Sequence, residues 1–482
     1  MRDRIVSELA ENNTVLTPDA MEYLENLEDA SKVIDKLTES KENLPFPVCK
    51  ETISDIVEDH LEVESKAEAA KRREENSIEL TECLEVMKDV SGNSTCTGKI
   101  NDFTNYFVSK FEILKSIIMK RRDGKKAKPI SRITKRRGEA STICMVRDIH
   151  STSNGNKVLT LEDQTGEIRG FISSESEAFS KGILEDEVIL AKGEMWENNG
   201  NFEDTFAIEE IKRPGVPKLN DRKKPNFSGK IAFLGDIHVG SEKFMKERWR
   251  DFVSWINSAK DAKNIRYLLI PGDLIDGIGI FPNQEEELNI IDINEQYRKT
   301  ARMLKEIRKD IKIITIPGNH DIVRNAEPQP CLPKEIQDMF PDNVFFYGNP
   351  SSIDLEGLKI LMYHGNSIND LSDMLPQVTQ EEPTTALKEM LKRRHLVPVY
   401  GKKTSIAPEK EDYLAIEEVP DVFVTGHIHR NGVDEYHGTI LINASTWQEQ
   451  TEYQKMRDIQ PEPAKVTVLD PKTNKVSIRE FN

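Results

Sequence analysis

The sequence predicts an α/β chain: a layered C-terminal domain, a smaller all-β domain before it and a small helical domain at the start. Three observations carry this. From about residue 228 onward, short apolar runs ending in Gly alternate with helix-like stretches such as EQYRKTARMLKEIRKDI. Between residues 141 and 211 the apolar residues come instead in five brief strand-like runs. Near the start they recur at helical spacing. A chain of 482 residues also exceeds one ordinary core, so two to four domains are expected.

In residues 1–45, Ile5, Leu9, Met21, Leu24 and Leu27 share roughly helical spacing, and Thr17-Pro18 reads as a capped helix start. Such a unit either binds a partner or buries its own face. Residues 46–102 turn charged and polar (EDHLEVESKAEAAKRREENS, then SGNSTCTGK), which predicts a flexible linker because little apolar surface offsets the ordering entropy. Residues 103–217 open with an amphipathic helix that aligns Phe107, Phe111, Leu114 and Ile118 on one face. The runs STICMVRDI, KVLTLED, EIRGFIS, DEVILAKGEM and DTFAIEEI follow, with turns at Asn154-Gly155, Thr165-Gly166 and Asn199-Gly200. A helix is expected in SESEAFSKGIL, between the third and fourth runs. Five strands with a helix at that place is the order of an OB-fold barrel. OB folds often hold single strands, but basic and aromatic residues here are few beyond Arg147, Arg169 and Trp196, so a structural or interface role is preferred.

The formal net charge is −17, which argues against non-specific coating of nucleic acid. One local exception precedes the barrel: KRRDGKKAKPISRITKRR. Its Lys120, Arg121, Arg122, Lys125, Lys126, Arg136 and Arg137 are either a solvated tether or a phosphate-backbone contact. Five scattered cysteines without a CxxC pair read as a reducing, intracellular protein. No signal core and no run of membrane-span length occur, so a soluble, cytoplasmic protein is expected.

The chemistry lies in residues 228–482. KIAFLGDIHVG places Asp236 and His238 after an apolar run; YLLIPGDLIDG places Asp273; IKIITIPGNHD places Asn319, His320 and Asp321; LKILMYHGNS places His364; DVFVTGHIHR places His427 and His429. Five of the nine histidines fall in these motifs, and His60, His150, His395 and His437 are read as ordinary. Each motif alone is weak, since a lone Asp-x-His is more often a surface pair and a lone His more often structural. Their joint occurrence is not weak: ligands in α/β sheets sit beyond the carboxyl ends of strands, so the five groups can converge. Gly235, Gly272, Gly318, Gly365 and Gly426 are expected to turn the chain sharply there. His with Asp suits Mn²⁺, Fe²⁺ or Zn²⁺, and a pair of ions about 3.5–4 Å apart suits phosphoryl transfer.

The series GD-x-H, GD-xx-D-G, GNHD, HG and GH-x-H resembles the calcineurin-like metallophosphoesterases, in that order. The resemblance implies a β-sandwich flanked by helices. It implies one metal held by Asp236, His238, Asp273 and His429, and a second by Asp273, Asn319, His364 and His427, with Asp273 bridging. By the same resemblance His320 protonates the leaving oxygen or stabilises the transition state, with Asp321 holding its ring. Gly277 after Asp276, and Asp321 after His320, depart from the Ser/Thr phosphatases of that superfamily and resemble its nucleases.

An OB-like domain leading into a phosphoesterase domain resembles the B subunits of replicative DNA polymerases. With every ligand position kept, the chain is similar to the small subunits of archaeal family D polymerases, as are LKRRHLVPVYG (391–401) and the DFTNYFVSKFEILKSIIMKRR lead-in. That resemblance implies a 3′→5′ proofreading exonuclease with two divalent ions, Mn²⁺ foremost. It also implies a large catalytic subunit as partner, a single-stranded or mismatched 3′ end of DNA as substrate, and a sliding clamp as a further candidate partner. Two alternatives stand: a catalytically weak scaffold subunit, and a stand-alone metallophosphodiesterase. The role of 391–401, a loop near the site or a partner contact, is open.

Overall fold

The computed structural model describes residues 15–25, 48, 53, 84–134, 138–196, 205–218 and 225–481. The chain divides into two compact units, 1–80 and 81–482. Among the described residues of the first, helix Pro18–Glu25 buries Ala20 and Leu24, and Leu16 bridges to Val48. The Thr17 hydroxyl donates to Val48 O at 3.4 Å. Ile5, Leu9 and Leu27 lie outside the described residues, as does most of the expected linker.

The second unit begins inside that expected linker. Leu84–Asp89 is a strand, β1, and helix Ile100–Met119 starts before residue 103. A polar composition hid the strand because its backbone bonds come from a distant partner, the antiparallel β11 (Ser351–Leu355). Helix Ile100–Met119 buries Tyr106, Phe111, Leu114 and Ile118, so its apolar stripe is spent on packing.

Five strands follow: β2 (Gly138–Ser151), β3 (Lys157–Asp163), β4 (Gly166–Ile172), β5 (Val188–Trp196) and β6 (Thr205–Lys212). They close into a barrel in the order β2-β3-β4-β6-β5, with β4 and β6 parallel. The helix expected between the third and fourth strands is only a 3₁₀ turn, Phe179–Lys181. The connection is used to plug the barrel instead: Ala178 and Ile183 join a core with Val146, Leu159, Leu161 and Phe206.

Residues 225–481, together with β1, form two six-stranded mixed sheets. One has the order β10-β9-β8-β7-β16-β17, from β7 (Lys230–Phe233), β8 (Ile265–Ile270), β9 (Lys312–Thr315), β10 (Val344–Phe346), β16 (Lys465–Asp470) and β17 (Lys475–Glu480). The other has the order β1-β11-β12-β13-β15-β14, adding β12 (Leu358–Met362), β13 (Val422–Thr425), β14 (Gly432–Tyr436) and β15 (Thr439–Asn443). Strands β7, β8, β9, β12, β13 and β15 run parallel to their neighbours within each sheet's centre. Both faces of the central strands are buried, which explains their continuous apolar runs. Ala232, Leu268 and Ile313 pack under helices Lys246–Ser258 and Ile293–Lys305. Leu361, Phe423 and Leu441 pack under helices Ser367–Met374 and Thr384–Arg393. This is a layered α/β domain.

The stretch 391–401 lies between the barrel and this domain. Buried Arg393 meets Glu187 at 2.9 Å and also pairs with Glu389, while Arg213 reaches Glu187 at 3.0 Å. His395 pairs with Asp412 at 2.9 Å, and Lys110 of the lead-in helix donates to Pro398 O at 2.7 Å. Tyr400 packs edge-on against Phe103 and Phe107. No helix among the described residues is long and apolar enough to cross a membrane.

Candidate metal centre

The five motifs all occupy loops at the C-terminal ends of strands β7, β8, β9, β12 and β13. Because these strands run parallel, their loops leave at one end, where seven side chains gather. Five of them have left-handed backbones: Asp236 (φ 30°), His238 (52°), Asp273 (50°), His427 (68°) and His429 (56°). That conformation costs a non-glycine residue on the order of 1–3 kcal/mol and persists only where the surroundings impose it. Glycine supplies the room. Gly272 has φ 106°, and a Cβ there would stand 2.6 Å from His364 Nδ1. At Gly318 and Gly426 the conformation is ordinary, but a Cβ would collide with Asp273 Oδ1 or Asp236 Oδ1. These two are therefore required for close approach rather than for a sharp turn.

Asp236, His238 and His429 have ligand atoms within 4.8 Å of one another, and so do Asp273, His364 and His427. In the first set the Nε2 atoms of His238 and His429 lie 2.9 Å apart, and His429 Nε2 lies 3.5 Å from Asp236 Oδ2. In the second, Asn319 Oδ1 is 3.0 Å from both His364 Nε2 and His427 Nδ1. Asp273 Oδ2 stands between the sets, 3.7 Å from His238 Nε2 and 3.3 Å from His364 Nε2. Buried Asp236 Oδ1 has no hydrogen-bond partner, a costly state for a carboxylate oxygen. Converging imidazoles around an unpartnered carboxylate oxygen form a donor set that fits divalent cations.

Each histidine is held at the nitrogen facing away from the cluster. His238 Nδ1 meets Asp276 Oδ1 at 2.9 Å, and His364 Nδ1 donates to Pro271 O at 2.8 Å. The Gln454 amide is 2.9 Å from His429 Nδ1, and the Asn369 amide 2.8 Å from His427 Nε2. The oxygens of Asp276 and Pro271 accept from their rings and leave the other nitrogen for a ligand role, while the Gln454 and Asn369 amides fix the orientation of theirs. Sequence reasoning assigned none of them a role. Asp276 was visible within GD-xx-D; Asn369 and Gln454 carry no sequence signal.

The crowding shows in the titration of the cluster. Burial raises the Asp236 carboxyl to about 7; His364 opposes this and Asp273 adds to it. Burial lowers His364, but the charge of Asp273 outweighs it and lifts the imidazole to about 10. Burial, then the positive His364, push His427 down to about 3.

His320 lies at the edge, its side chain 15% exposed, with its ring centroid 4.6 Å from that of His238. Its Nδ1 donates to the carbonyl of Asp276 at 2.7 Å, which leaves Nε2 facing outward from that bond. The expectation that Asp321 holds this ring is corrected. Asp321 points inward and accepts from Tyr297 Oη at 3.0 Å, Gly318 N at 2.9 Å and Leu274 N at 3.3 Å. Its buried oxygens cap the turn because three donors converge there, so it shapes the loop rather than the imidazole.

The basic segment is elsewhere. Arg122 and Lys126 line a cleft of about 670 Å³ on the barrel with Lys128 and Lys192, interleaved with Asp123, Glu139, Glu209 and Glu210. Arg121 is occupied by the carbonyl of Arg213 at 2.7 Å, Lys120 and Lys125 are exposed, and Arg136 and Arg137 lie outside the described residues. Among the other histidines, His150 is exposed beside Asp148 and His437 sits 3.2 Å from Val216 O; His60 lies outside the described residues.

Comparison with known proteins agrees with this geometry. The calcineurin-like phosphoesterase family matches residues 229–431. A protein of Archaeoglobus fulgidus named DNA polymerase II small subunit is 41% identical over 85% of this chain and 84% of its own. Proteins of the same name from Methanothermobacter thermautotrophicus and Thermoplasma acidophilum are 40% and 39% identical, over 80% of this chain in each case and 81% and 79% of theirs.

Proposed function

The chain belongs to the DNA polymerase II small-subunit family, and we propose that it is that polymerase's 3′→5′ exonuclease, clearing mispaired 3′ ends while holding the large catalytic subunit. The observation that supports this best is the paired donor set around Asp273, with all seven candidate ligands present and His320 beside them. A subunit kept only as a scaffold has no use for five left-handed residues and four oriented imidazoles.

In this reading Asp236, His238, His429 and Asp273 hold one divalent cation, and Asp273, Asn319, His364 and His427 a second. When bound, such a pair activates water and neutralises a phosphodiester, Mn²⁺ being the first candidate. The chain's own residues do the rest. Asp276, Asn369, Gln454 and the Pro271 carbonyl fix the imidazoles. His320, held at Nδ1 by the Asp276 carbonyl, offers Nε2 to the departing 3′ oxygen as donor. Asp321 keeps the 317–321 turn in shape.

The chain divides in the same reading into a helical domain at 1–45, a linker ending before β1, a lead-in helix with an OB-fold barrel, and the phosphoesterase domain. The five-stranded closed barrel and its strand order support the OB assignment. The cytoplasm is the expected compartment, and a sliding clamp remains a candidate partner.

The test is digestion of 3′-labelled single-stranded and mismatched primer DNA with Mn²⁺, beside a small phosphoester. Stepwise nucleotide loss that disappears in His320→Ala and Asp273→Ala supports the reading. Folded variants that digest DNA as fast as the parent overturn the site; an intact chain that cuts nothing but binds the large subunit tightly leaves the scaffold.

A further inference from the structure

Two segments meet at the rim of the cluster, a loop that follows Asp276 and a short helix that carries Gln454. A Cβ on Gly277 of the loop would stand 2.6 Å from His320 O and 3.4 Å from Ile280 Cδ1, so this loop runs directly beside His320. The Gln284 amide donates to the Asp276 carbonyl at 2.8 Å, the same carbonyl that receives His320 Nδ1. The second segment is the short helix Glu452–Met456, which carries Gln454, whose amide lies 2.9 Å from His429 Nδ1. Both segments are therefore anchored on residues of the cluster or its outer partners.

The loop and the helix join through aromatic rings. Phe281 and Tyr453 stack with centroids 5.1 Å apart and planes at 25°. The Arg457 guanidinium carbon lies 4.7 Å from the Tyr453 centroid. Three flat groups thus gather at the edge of the site. A tie that served only to fasten loops would bury its apolar surroundings, and this one does not. Ile280 is 38% exposed, Ile322, two residues after His320, is 43% exposed, and Met456 is 80% exposed. Ile280 and Met456 adjoin Phe281 and Arg457 in the chain, so the stacked groups border solvent rather than a closed core.

We propose that Phe281, Tyr453 and Arg457 form a stacking platform for the base of the nucleotide being removed, and that the platform selects an unpaired base. The inference rests on the DNA-hydrolysis reading and adds to it a reason for preferring frayed ends. Aromatic and guanidinium planes accept any base, because every base has a π face. In a duplex those faces are already covered by neighbouring pairs, and exposing one costs least at a mismatch. The platform therefore rewards a 3′ end that has left its partner, without reading its sequence.

The test uses the full chain and oligonucleotides ending in 2-aminopurine, whose fluorescence falls on stacking, or in an abasic 3′ nucleotide. Binding in Ca²⁺ is expected to quench 2-aminopurine. In Mn²⁺ the base-bearing end should be removed about tenfold more efficiently than the abasic one. In Phe281→Leu/Tyr453→Leu, and separately in Arg457→Gln, quenching should fall and the ratio should collapse toward one. Cleavage by the parent without quenching or discrimination overturns the platform and leaves the nuclease reading intact. Quenching without cleavage of any DNA keeps the platform and overturns the nuclease. Variants that quench and discriminate like the parent overturn the platform whatever their stability, and so does a parent that binds neither oligonucleotide.

Discussion

The Nε2 atoms of His238 and His429 lie 2.9 Å apart, although 191 residues separate them in the chain. The far nitrogen of each ring is held by another side chain, Asp276 or Gln454. Removing metal is therefore expected to abolish hydrolysis, and titration of the stripped chain should return about two Mn²⁺ per chain. His429→Ala should bind fewer; calorimetric stoichiometry decides, and an unchanged count of two sinks the assignment.

Asp276 acts through His238. Asp276→Asn keeps the shape but weakens the carboxylate–imidazole contact. The expected result is a 10- to 100-fold loss in metal affinity or activity with little change in melting temperature. Equal metal binding and turnover in variant and parent would show that Asp276 is only structural.

Neighbouring residues of the GNHD motif should separate cleanly. His320→Ala is expected to lower kcat by about 10²- to 10⁴-fold while leaving metal stoichiometry intact. Asp321→Ala strips acceptors from Gly318 N, Leu274 N and Tyr297 Oη, and is expected to cost about 1–3 kcal/mol or more of stability. Denaturant unfolding and single-turnover kinetics on both variants tell the roles apart.

Arg393 and Glu187 form the buried pair at the barrel junction, each side chain 1% exposed. Arg393→Met leaves buried Glu187 to Arg213 and Leu184 N, and buried Glu389 to Lys392, and should destabilise by about 3 kcal/mol. The denaturant midpoint measures this, and a shift within experimental error would show that the junction is held by apolar packing alone.

Glu409 gives the acid response. Burial pushes its carboxyl up, but donors from Ser94, Thr95, Arg324 and Cys96 outweigh that and hold it at about 2. Its folded value is below the unfolded value of about 4.3, so the folded state binds fewer protons. The contribution is complete above about pH 4.3 and is lost as pH falls toward 2. Arg324 pairs with this carboxylate at 2.8 Å. Glu409→Gln should melt lower at neutral pH and show a shallower fall between about pH 4.5 and 2. Parallel melting curves of variant and parent across that range would refute it.

Which residues follow strands and turns was legible along the chain. GD-x-H, GNHD and GH-x-H each end an apolar run, because parallel strands buried on both faces are written as unbroken Val, Ile and Leu. That made the layered domain, the five barrel strands and the candidate ligands legible, along with the family. Contacts that reach across the chain became visible only in the folded molecule. Strand β1 was hidden in charged sequence because β11, more than 260 residues away, supplies its hydrogen bonds. The stretch 391–401 became a junction through Glu187, Asp186 and Lys110, partners that no local pattern names. Asp321 turned inward and the Asp276 carbonyl took its expected place on His320, since orientation depends on which donors the fold brings near. Periodicity records burial along the chain, while hydrogen-bond partners are set by loops that meet only when the sheets have formed.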